Sequence, residues 1–593
     1  MRYLALACDY DGTLAHDGRV SKTTLAGLER FLASGRKLIM VTGRELPDLQ
    51  TTFDHFDLFE WIVAENGALL YKPATRETFL LAEPPPARFA EVLQERGVGP
   101  ISVGGVIVAT WEPHENTVLE VIRDLGLELQ VIFNKGAVMV LPGNINKATG
   151  LTAALERMGL SPHNVVGVGD AENDHAFLTM CECSAAVSNA IPSLKQTADL
   201  VLAADHGDGV VLLIDEMIQQ DLRERQPALM RRDLLVGPRR DKSLERIAAY
   251  GSSVLIAGPS GSGKSTVATA LLERILEQKY QFCIIDPEGD YEGSVGAVML
   301  GNRERGPAVE EVLQVLRKPS ESVIVNMVGL RIADRPNFFL SLLPRLLELR
   351  AAVGRPHWLI IDEAHHLLPS SWQPATQALP QSMGGLVLIT VHPEEVSPAV
   401  LSLVDTAIAV GPEPHETLGE LCRVLGEHAP AEVTDKADEE VLVWKRGQGE
   451  PRPVRPELSH GERKRHVRKY AEGVLPPDRS FYFRGPESKL KLRAQNLMNF
   501  LELGDGVDDD TWNFHLREGA YSRWFLEAIK DPDLSVEVAA IEENETLTAA
   551  ESRAEVRVAV EKRFTLPASS RLPMPGTDEA PKFEQAPTVA KAK

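Results

Sequence analysis

The sequence predicts an α/β protein of two successive parallel-sheet domains, the first with an inserted α/β cap, followed by a small helical domain and a largely disordered tail. Three observations carry this reading. At 593 residues the chain far exceeds the ~100–200 residues of a single domain. Near its middle, Gly258-Pro259-Ser260-Gly261-Ser262-Gly263-Lys264-Ser265 matches a phosphate-binding loop at every fixed position, with an apolar strand before it (253–257) and a helical pattern after it (267–276). In the first half, short apolar strands end repeatedly in carboxylates: Asp9 and Asp11 after 3–8, Asp170 and Asp174 after 165–168.

Composition narrows the class. Hydrophobic residues make up 44% and charged residues 25%, an ordinary globular balance. No uninterrupted apolar run approaches the ~18 residues of a membrane span, and Met1-Arg2 leads directly into a strand, so neither a span nor a signal peptide is expected. Cys8, Cys181, Cys183, Cys283 and Cys422 form no C-x-x-C pair, which suits reduced thiols in a cytoplasmic protein. A formal net charge of -22 disfavours indiscriminate binding to nucleic acid or anionic lipid.

In the first half, Asp9 and Asp11 stand one residue apart in Asp9-Tyr10-Asp11-Gly12-Thr13-Leu14. At that spacing one carboxylate can attack phosphorus while the other protonates the leaving oxygen and then deprotonates water. A second strand, 37–41, ends in Thr42-Gly43-Arg44, which offers a hydroxyl and backbone N–H groups to a phosphoryl oxygen. Lys147 opens a helix over 148–158 and can neutralise developing charge. Gly169-Asp170-Ala171-Glu172-Asn173-Asp174 adds two carboxylates suited to an all-oxygen Mg²⁺ site.

These four motifs, DYDGTL, VTGR, NK at a helix start and GDAEND, resemble those of the haloacid-dehalogenase superfamily phosphatases over residues 1–215. The resemblance implies a Rossmann-like domain with Asp9 as nucleophile, Asp11 as acid/base, Thr42 and Lys147 as phosphate ligands, and Asp170 and Asp174 on the metal side. Asp9 and the Asp11 carbonyl would join the metal shell. Glu65-Asn66-Gly67-Ala68 is a turn familiar in the subgroup with an α/β cap at this position, which puts the cap at about 83–146. It reads as helix (87–96), strand (105–110), helix (114–125) and strands near 128–133 and 137–141. Cap length and the LPGNINK stretch resemble small-cap phosphatases acting on phosphoglycolate and sugar phosphates. His55, His114 and His163 are read as surface residues rather than substrate ligands.

A charged, proline-containing stretch, 216–234, reads as a linker. In the second domain, 235–454, Gly258, Gly261, Gly263, Lys264, Ser265 and Thr266 would bind nucleotide phosphates, with the Ser265 hydroxyl on Mg²⁺. The strand 282–285 ends in Asp286-Pro287-Glu288-Gly289-Asp290-Tyr291, and the strand 358–361 ends in Asp362 and Glu363. Asp362 would help hold Mg²⁺ and Glu363 would polarise the attacking water. Strands at 385–391 and 406–410 complete the pattern, and Val391-His392 occupies the sensor position. Together these features resemble the HerA and FtsK group of P-loop ATPases over 235–415. That resemblance implies ATP binding and a homo-oligomer through this domain, with nucleic acid as a less favoured partner. His365 and His366 are assigned to packing rather than to metal.

Residues 455–545 read as a small helical domain and 546–593 as a tail. Tyr521, Trp524, Phe525, Ala528 and Ile529 follow helical spacing and read as core. The basic run at 460–469 reads as a solvated helix face. The expectation is a cytoplasmic Mg²⁺-dependent phosphomonoesterase for a small phosphorylated substrate, fused to an ATP-binding regulatory or assembly module; the alternative is a nucleic-acid motor with an accessory phosphatase domain.

Overall fold

A computed structural model describes residues 1–563 except 135, 260, 292–295, 303, 373–382, 434–435, 458–474, 476–478, 530 and 545. The chain divides into two compact units, Met1–Ser459 and His460–Lys593. The basic run at 460–469 and the tail from 564 onward lie outside the described residues.

The larger unit begins with β1 (Ala5–Cys8), β2 (Lys37–Val41), β3 (Trp61–Ala64), β4 (Leu69–Lys72) and β5 (Glu77–Leu80). A cap follows with β6 (Ser102–Val103), β7 (Val108–Trp111), β8 (Leu129–Asn134) and β9 (Ala137–Pro142), and the chain then returns through β10 (Val165–Gly169), β11 (Cys183–Ala186) and β12 (Leu200–Val201). The main sheet runs β12-β11-β10-β1-β2-β3-β4-β5. It is parallel from β12 to β3, and β4 and β5 add an antiparallel edge. Every residue of β1, β3, β10 and β11 is buried, which is why these strands read as continuous apolar runs rather than alternating ones. Cys8 pairs with both Val168 and Met40, so the loops after β1, β2 and β10 emerge side by side at one edge. The cap sheet is antiparallel, in the order β6-β7-β9-β8. Its helices, Ala87–Glu95 and Glu115–Asp124, place Phe89, Val118 and Val121 against Val138 and Val140.

The stretch 216–234 is not a plain linker. The helix His206–Gln220 continues into it, because Val210, Leu213, Ile214 and Met217 keep an apolar face buried through its last turns. Leu222 and Leu229 also join the core of the first domain.

The second domain opens with the antiparallel pair β13 (Leu234–Pro238) and β14 (Leu244–Ile247). Then come β15 (Ser253–Ala257), β16 (Phe282–Asp286), β17 (Val298–Leu300), β18 (Val323–Asn326), β19 (Trp358–Ile361), β20 (Leu386–Thr390), β21 (Thr406–Ala409), β22 (Val441–Lys445) and β23 (Arg452–Val454). They form one sheet in the order β17-β18-β16-β19-β20-β15-β21-β22-β23, parallel except at the β22 and β23 edge. The strand that feeds the phosphate loop, β15, is therefore separated from the acid-bearing strand, β19, by β20.

The two sheets of this unit meet at the N-terminal ends of their strands. On one side are Arg2 before β1, Asn164 before β10 and Glu182 before β11; on the other are Tyr280 before β16 and His357 before β19. The Tyr280 hydroxyl donates to Glu182, the His163 and Tyr280 rings stack with centroids 3.9 Å apart, and Arg355 donates to the Gly159 carbonyl at 2.7 Å. His163 is thus a buried residue of this seam, not a surface histidine; His55 is exposed.

The smaller unit holds the hairpin strands β24 (Phe481–Phe483) and β25 (Leu492–Ala494) and helices from Leu497 onward. Tyr521, Trp524, Phe525, Ala528 and Ile529 are all buried in its core, packed with Phe481, Phe483 and Phe500. The region assigned to a tail is helical over Ala549–Arg563. Val556, Ala559 and Val560 recur at the i, i+3, i+4 spacing and are buried, while Ser552 accepts a hydrogen bond from the Trp512 indole at 3.0 Å. All five cysteines are free and buried. Among the described residues no helix is long and apolar enough to cross a membrane.

Candidate functional site

The loops after β1, β2 and β10 bring the first set of acids together. Asp9, Asp170 and Asp174 are buried, with ligand oxygens all within 4.8 Å of one another. The Lys147 ammonium donates to Asp9 Oδ1 and to Asp174 Oδ1, each at 2.6 Å. Its position follows from local sequence: Asn146 caps the helix Lys147–Met158, accepting from Ala148 and Thr149, and Thr149 returns a hydroxyl to the Asn146 N–H. The other oxygen of Asp174 accepts the N–H groups of Asp170 and Ala171 at 2.8 and 2.9 Å. Thr13 donates to Asp170 at 3.2 Å.

Three buried carboxylates beside one ammonium strain each other electrostatically. Burial, with Asp174 next, pushes Asp9 well above the ordinary carboxylate range against the pull of Lys147. For Lys147 burial favours the neutral amine, but Asp174 and Asp9 outweigh it and hold the charge.

Thr42 is buried at the end of β2, and its hydroxyl accepts from the Arg44 N–H at 3.1 Å. Asp11 lies outside the buried cluster. Its carboxylate is held by Arg44 in a two-pronged pair at 2.6 and 2.8 Å, and Arg44 also reaches Asp48 at 2.7 Å. The turn after β3 reaches the cap: both oxygens of the fully buried Glu65 accept backbone N–H groups, from Gly105, Val106 and Ile107 at 2.8, 2.7 and 3.0 Å. Next to it, Asn66 accepts from Asn173 at 3.0 Å.

The second site is built at the ends of β15, β19 and β20. Gly261 and Gly263 have φ of 75° and 99°, so the loop needs residues without a Cβ there. Lys264, Ser265 and Thr266 form the first turn of the helix Lys264–Glu277, whose N–H groups face the loop, and Lys264 donates to the Pro259 carbonyl at 2.9 Å. Asp362 and Glu363 follow β19, with Asp362 accepting the Glu363 N–H at 3.0 Å and Glu363 at a positive φ of 44°. His365 meets the Thr390 hydroxyl at 3.0 Å, and burial, helped by His366 and His392, pushes it down to about 4. Asp286 accepts three N–H groups of its own loop, from Gly289, Asp290 and Tyr291, yet burial raises it to about 6.

Two family models match this chain. One describes a haloacid dehalogenase-like hydrolase and covers residues 6–94 and 112–214; the other describes an AAA ATPase domain and covers 241–389. A phosphoglycolate phosphatase of Methanothermobacter thermautotrophicus is 31% identical over 215 residues, a match spanning 35% of this chain and 95% of that protein. Through these residues the chain belongs to the haloacid dehalogenase-like hydrolases. Phosphoglycolate phosphatase 2 of Saccharolobus solfataricus is 27% identical over 36% of this chain and 92% of its own length. Among solved structures, a haloacid dehalogenase-like hydrolase from Bacteroides thetaiotaomicron has a TM-score of 0.32 at 18% identity, covering 36% of this chain and 99% of that one.

The hydrolase therefore carries a phosphatase domain and an ATPase domain in one chain. Three residues of its phosphatase site were not singled out by sequence. The Arg44 side chain lies in a motif whose sequence signal is its hydroxyl and N–H groups; its place two residues after Thr42 is the available signal. Glu65 reads as part of a turn, and nothing local points to its partners forty residues on. Thr13 lies inside DYDGTL, but its partner, Asp170, is 157 residues away, so nothing local marks it.

Proposed function

We propose that the hydrolase is a Mg²⁺-dependent phosphomonoesterase for a small phosphorylated metabolite of the phosphoglycolate or sugar-phosphate kind, working through an aspartyl-phosphate, with the ATPase domain as a regulatory or assembly module. One observation carries this reading: Lys147 bridges Asp9 and Asp174 beside Asp170 in a buried, all-carboxylate cluster. An Asp9 oxygen attacks phosphorus, the ester P–O bond breaks, and the leaving oxygen takes a proton from Asp11. Asp11 then deprotonates water, which attacks the same phosphorus and releases inorganic phosphate with Asp9 restored. Thr42 and the loop N–H groups hold the phosphoryl oxygens, and Lys147 balances their charge. The donor set fits Mg²⁺: three carboxylates face one ammonium, leaving an excess of negative charge that a hard, oxygen-seeking dication matches. Asp9, Asp170, Asp174 and the Asp11 carbonyl would hold the ion, which supplies Lewis-acid stabilisation of the phosphoryl group when bound.

In the ATPase domain the loop Gly258, Gly261, Gly263 and Lys264 to Thr266 would take the phosphates of ATP, Ser265 and Asp362 the associated Mg²⁺, and Glu363 the attacking water. The alternative reading is a HerA/FtsK-like, ring-forming motor; the separation of β15 from β19 by β20 fits that group and the AAA domain equally. The buried free thiols support a cytoplasmic setting. The test is turnover of phosphoglycolate and sugar phosphates with Mg²⁺ by wild type, Asp9→Asn and Lys264→Ala. Asp9→Asn should lose hydrolysis and keep ATP binding; full activity in that variant would refute the nucleophile. DNA-stimulated ATP hydrolysis with silence on small esters would favour the motor.

A further inference from the structure

At the seam between the two sheets lies a cavity of about 760 Å³ whose lining includes Asp221, Arg223, Tyr250 and Arg350. Its charges are unevenly matched. The acids are already paired: Asp221 with Arg36 at 3.1 Å, and Glu182 with Arg2. Arg2 is further occupied by the Tyr250 ring, its guanidinium carbon 4.2 Å from the centroid. Arg350, in the last turn of the helix Arg335–Val353, donates among the described residues only through Nη2, to the carbonyls of His357 at 3.0 Å and Gly384. Among the described residues no carboxylate forms an ion pair with it, and its Nε and Nη1 make no hydrogen bond. The exposed Arg223 side chain makes no hydrogen bond or ion pair among the described residues.

Two guanidinium groups without an ion-pair partner among the described residues therefore line one space together with Tyr250. Burial, then Asp221, raises the Tyr250 phenol, while Arg2, Arg223 and Arg350 act on it in the opposite sense. Burial likewise lowers Arg350 to about 10, a cost that a bound anion would offset. Guanidinium forks match the oxygens of a phosphate in paired hydrogen bonds. A cavity this size lies within the ~300–1,000 Å³ of small-molecule sites and far exceeds a bare phosphate ion.

We propose that this cavity binds a phosphorylated small molecule, its phosphate held by Arg350, Arg223 and the Tyr250 hydroxyl, at a third site distinct from the phosphatase centre and the nucleotide loop. Because the lining comes from both domains, an occupant there touches the phosphatase and the ATPase at once.

The test uses the full chain carrying Lys147→Gln and Lys264→Ala, so that each of the two other phosphate sites has lost its ammonium. 3-Phosphoglycerate, ribose 5-phosphate and AMP are titrated by calorimetry. One of them should bind once per chain, with affinity falling about tenfold or more in Arg223→Gln and in Arg350→Gln. Arg223 is exposed, so its variant decides the matter if Arg350→Gln does not fold. No binding of any probe at millimolar concentration, or binding that Arg223→Gln leaves unchanged, overturns the proposal.

Discussion

The Tyr280 hydroxyl, on the ATPase side of the seam, donates to both oxygens of Glu182 on the phosphatase side, at 2.9 and 3.0 Å. Burial alone would raise the Glu182 carboxyl, but Arg2 and the hydrogen bonds from His163 and Tyr280 hold it well below the usual range. Its stabilisation is therefore fully present above the ordinary glutamate value and is lost as pH falls below it. Tyr280→Phe removes one donor from a buried carboxylate and should cost about 1–3 kcal/mol. Glu182→Ala strands the buried Arg2 charge and should cost more, about 3–5 kcal/mol. Denaturant unfolding followed by tryptophan fluorescence checks both; equal losses in the two variants would contradict this ordering.

His357 gives the same seam a second pH dependence, nearer neutrality. Its Nδ1 accepts the Gln281 N–H at 2.9 Å, so the proton sits on Nε2, which faces Asn164 Oδ1 at 3.4 Å. A second proton would have to enter at Nδ1 against a donor. Desolvation, with His163 next and Arg355 and Arg350 adding to it, pushes His357 well below its ordinary value, while Glu182 opposes the shift. The unfolded chain then binds a proton that the native seam refuses. Stability should be complete above about pH 6.5 and fall by up to about 1.4 kcal/mol per pH unit below it. Melting curves at pH 7.5 and 5.5 test this, and His357→Gln should flatten the slope in that window.

Glu65 ties the cap to the sheet. Glu65→Ala leaves the N–H groups of Gly105, Val106 and Ile107 without their acceptor, at about 1–3 kcal/mol for each that stays dry. The expected result is faster proteolysis between β6 and β7 and a rise in KM for small esters, because the cap no longer closes from a fixed anchor. Unchanged proteolysis would mean that the apolar contacts of Val106 and Ile107 hold the cap without Glu65.

What sequence made legible follows from how local each feature is. DYDGTL, GDAEND and the phosphate loop each compress a strand end and its chemical groups into a few residues, so their positions at sheet edges could be read directly. The helix Lys147–Met158 was equally legible, since Asn146 and Thr149 cap it from within. The seam was not: Glu182 and Tyr280 are 98 residues apart in different domains, and His163 looks like any loop histidine until the sheets are docked. The helix Ala549–Arg563 escaped notice because its buried stripe is short and made of small residues in a charged sequence. The cap strand expected over 105–110 begins at Val108, because Glu65 claims the N–H groups of 105–107 that a ladder would have used.

Gly67 tests whether Lys147 is placed by close backbone packing. Gly67 has φ of 104°, and a Cβ there would stand 1.9 Å from the Asn146 carbonyl oxygen, a collision with backbone that no rotamer change relieves. Gly67→Ala must push the turn after β3 away from the helix start that carries Lys147. A shift of the order of 1 Å in a group that balances the phosphoryl charge is worth ~10²-fold in rate. Phosphatase kcat should fall by about that factor while ATP binding is untouched. Gly97→Ala is the matched control: its φ of 78° imposes the same kind of backbone strain, but nothing lies within 4 Å of the added methyl. It should cost about 1–2 kcal/mol of stability and leave kcat unchanged. If both variants lose activity alike, left-handed strain rather than the Asn146 contact controls the site; if neither does, Lys147 is held by Asp9 and Asp174 alone.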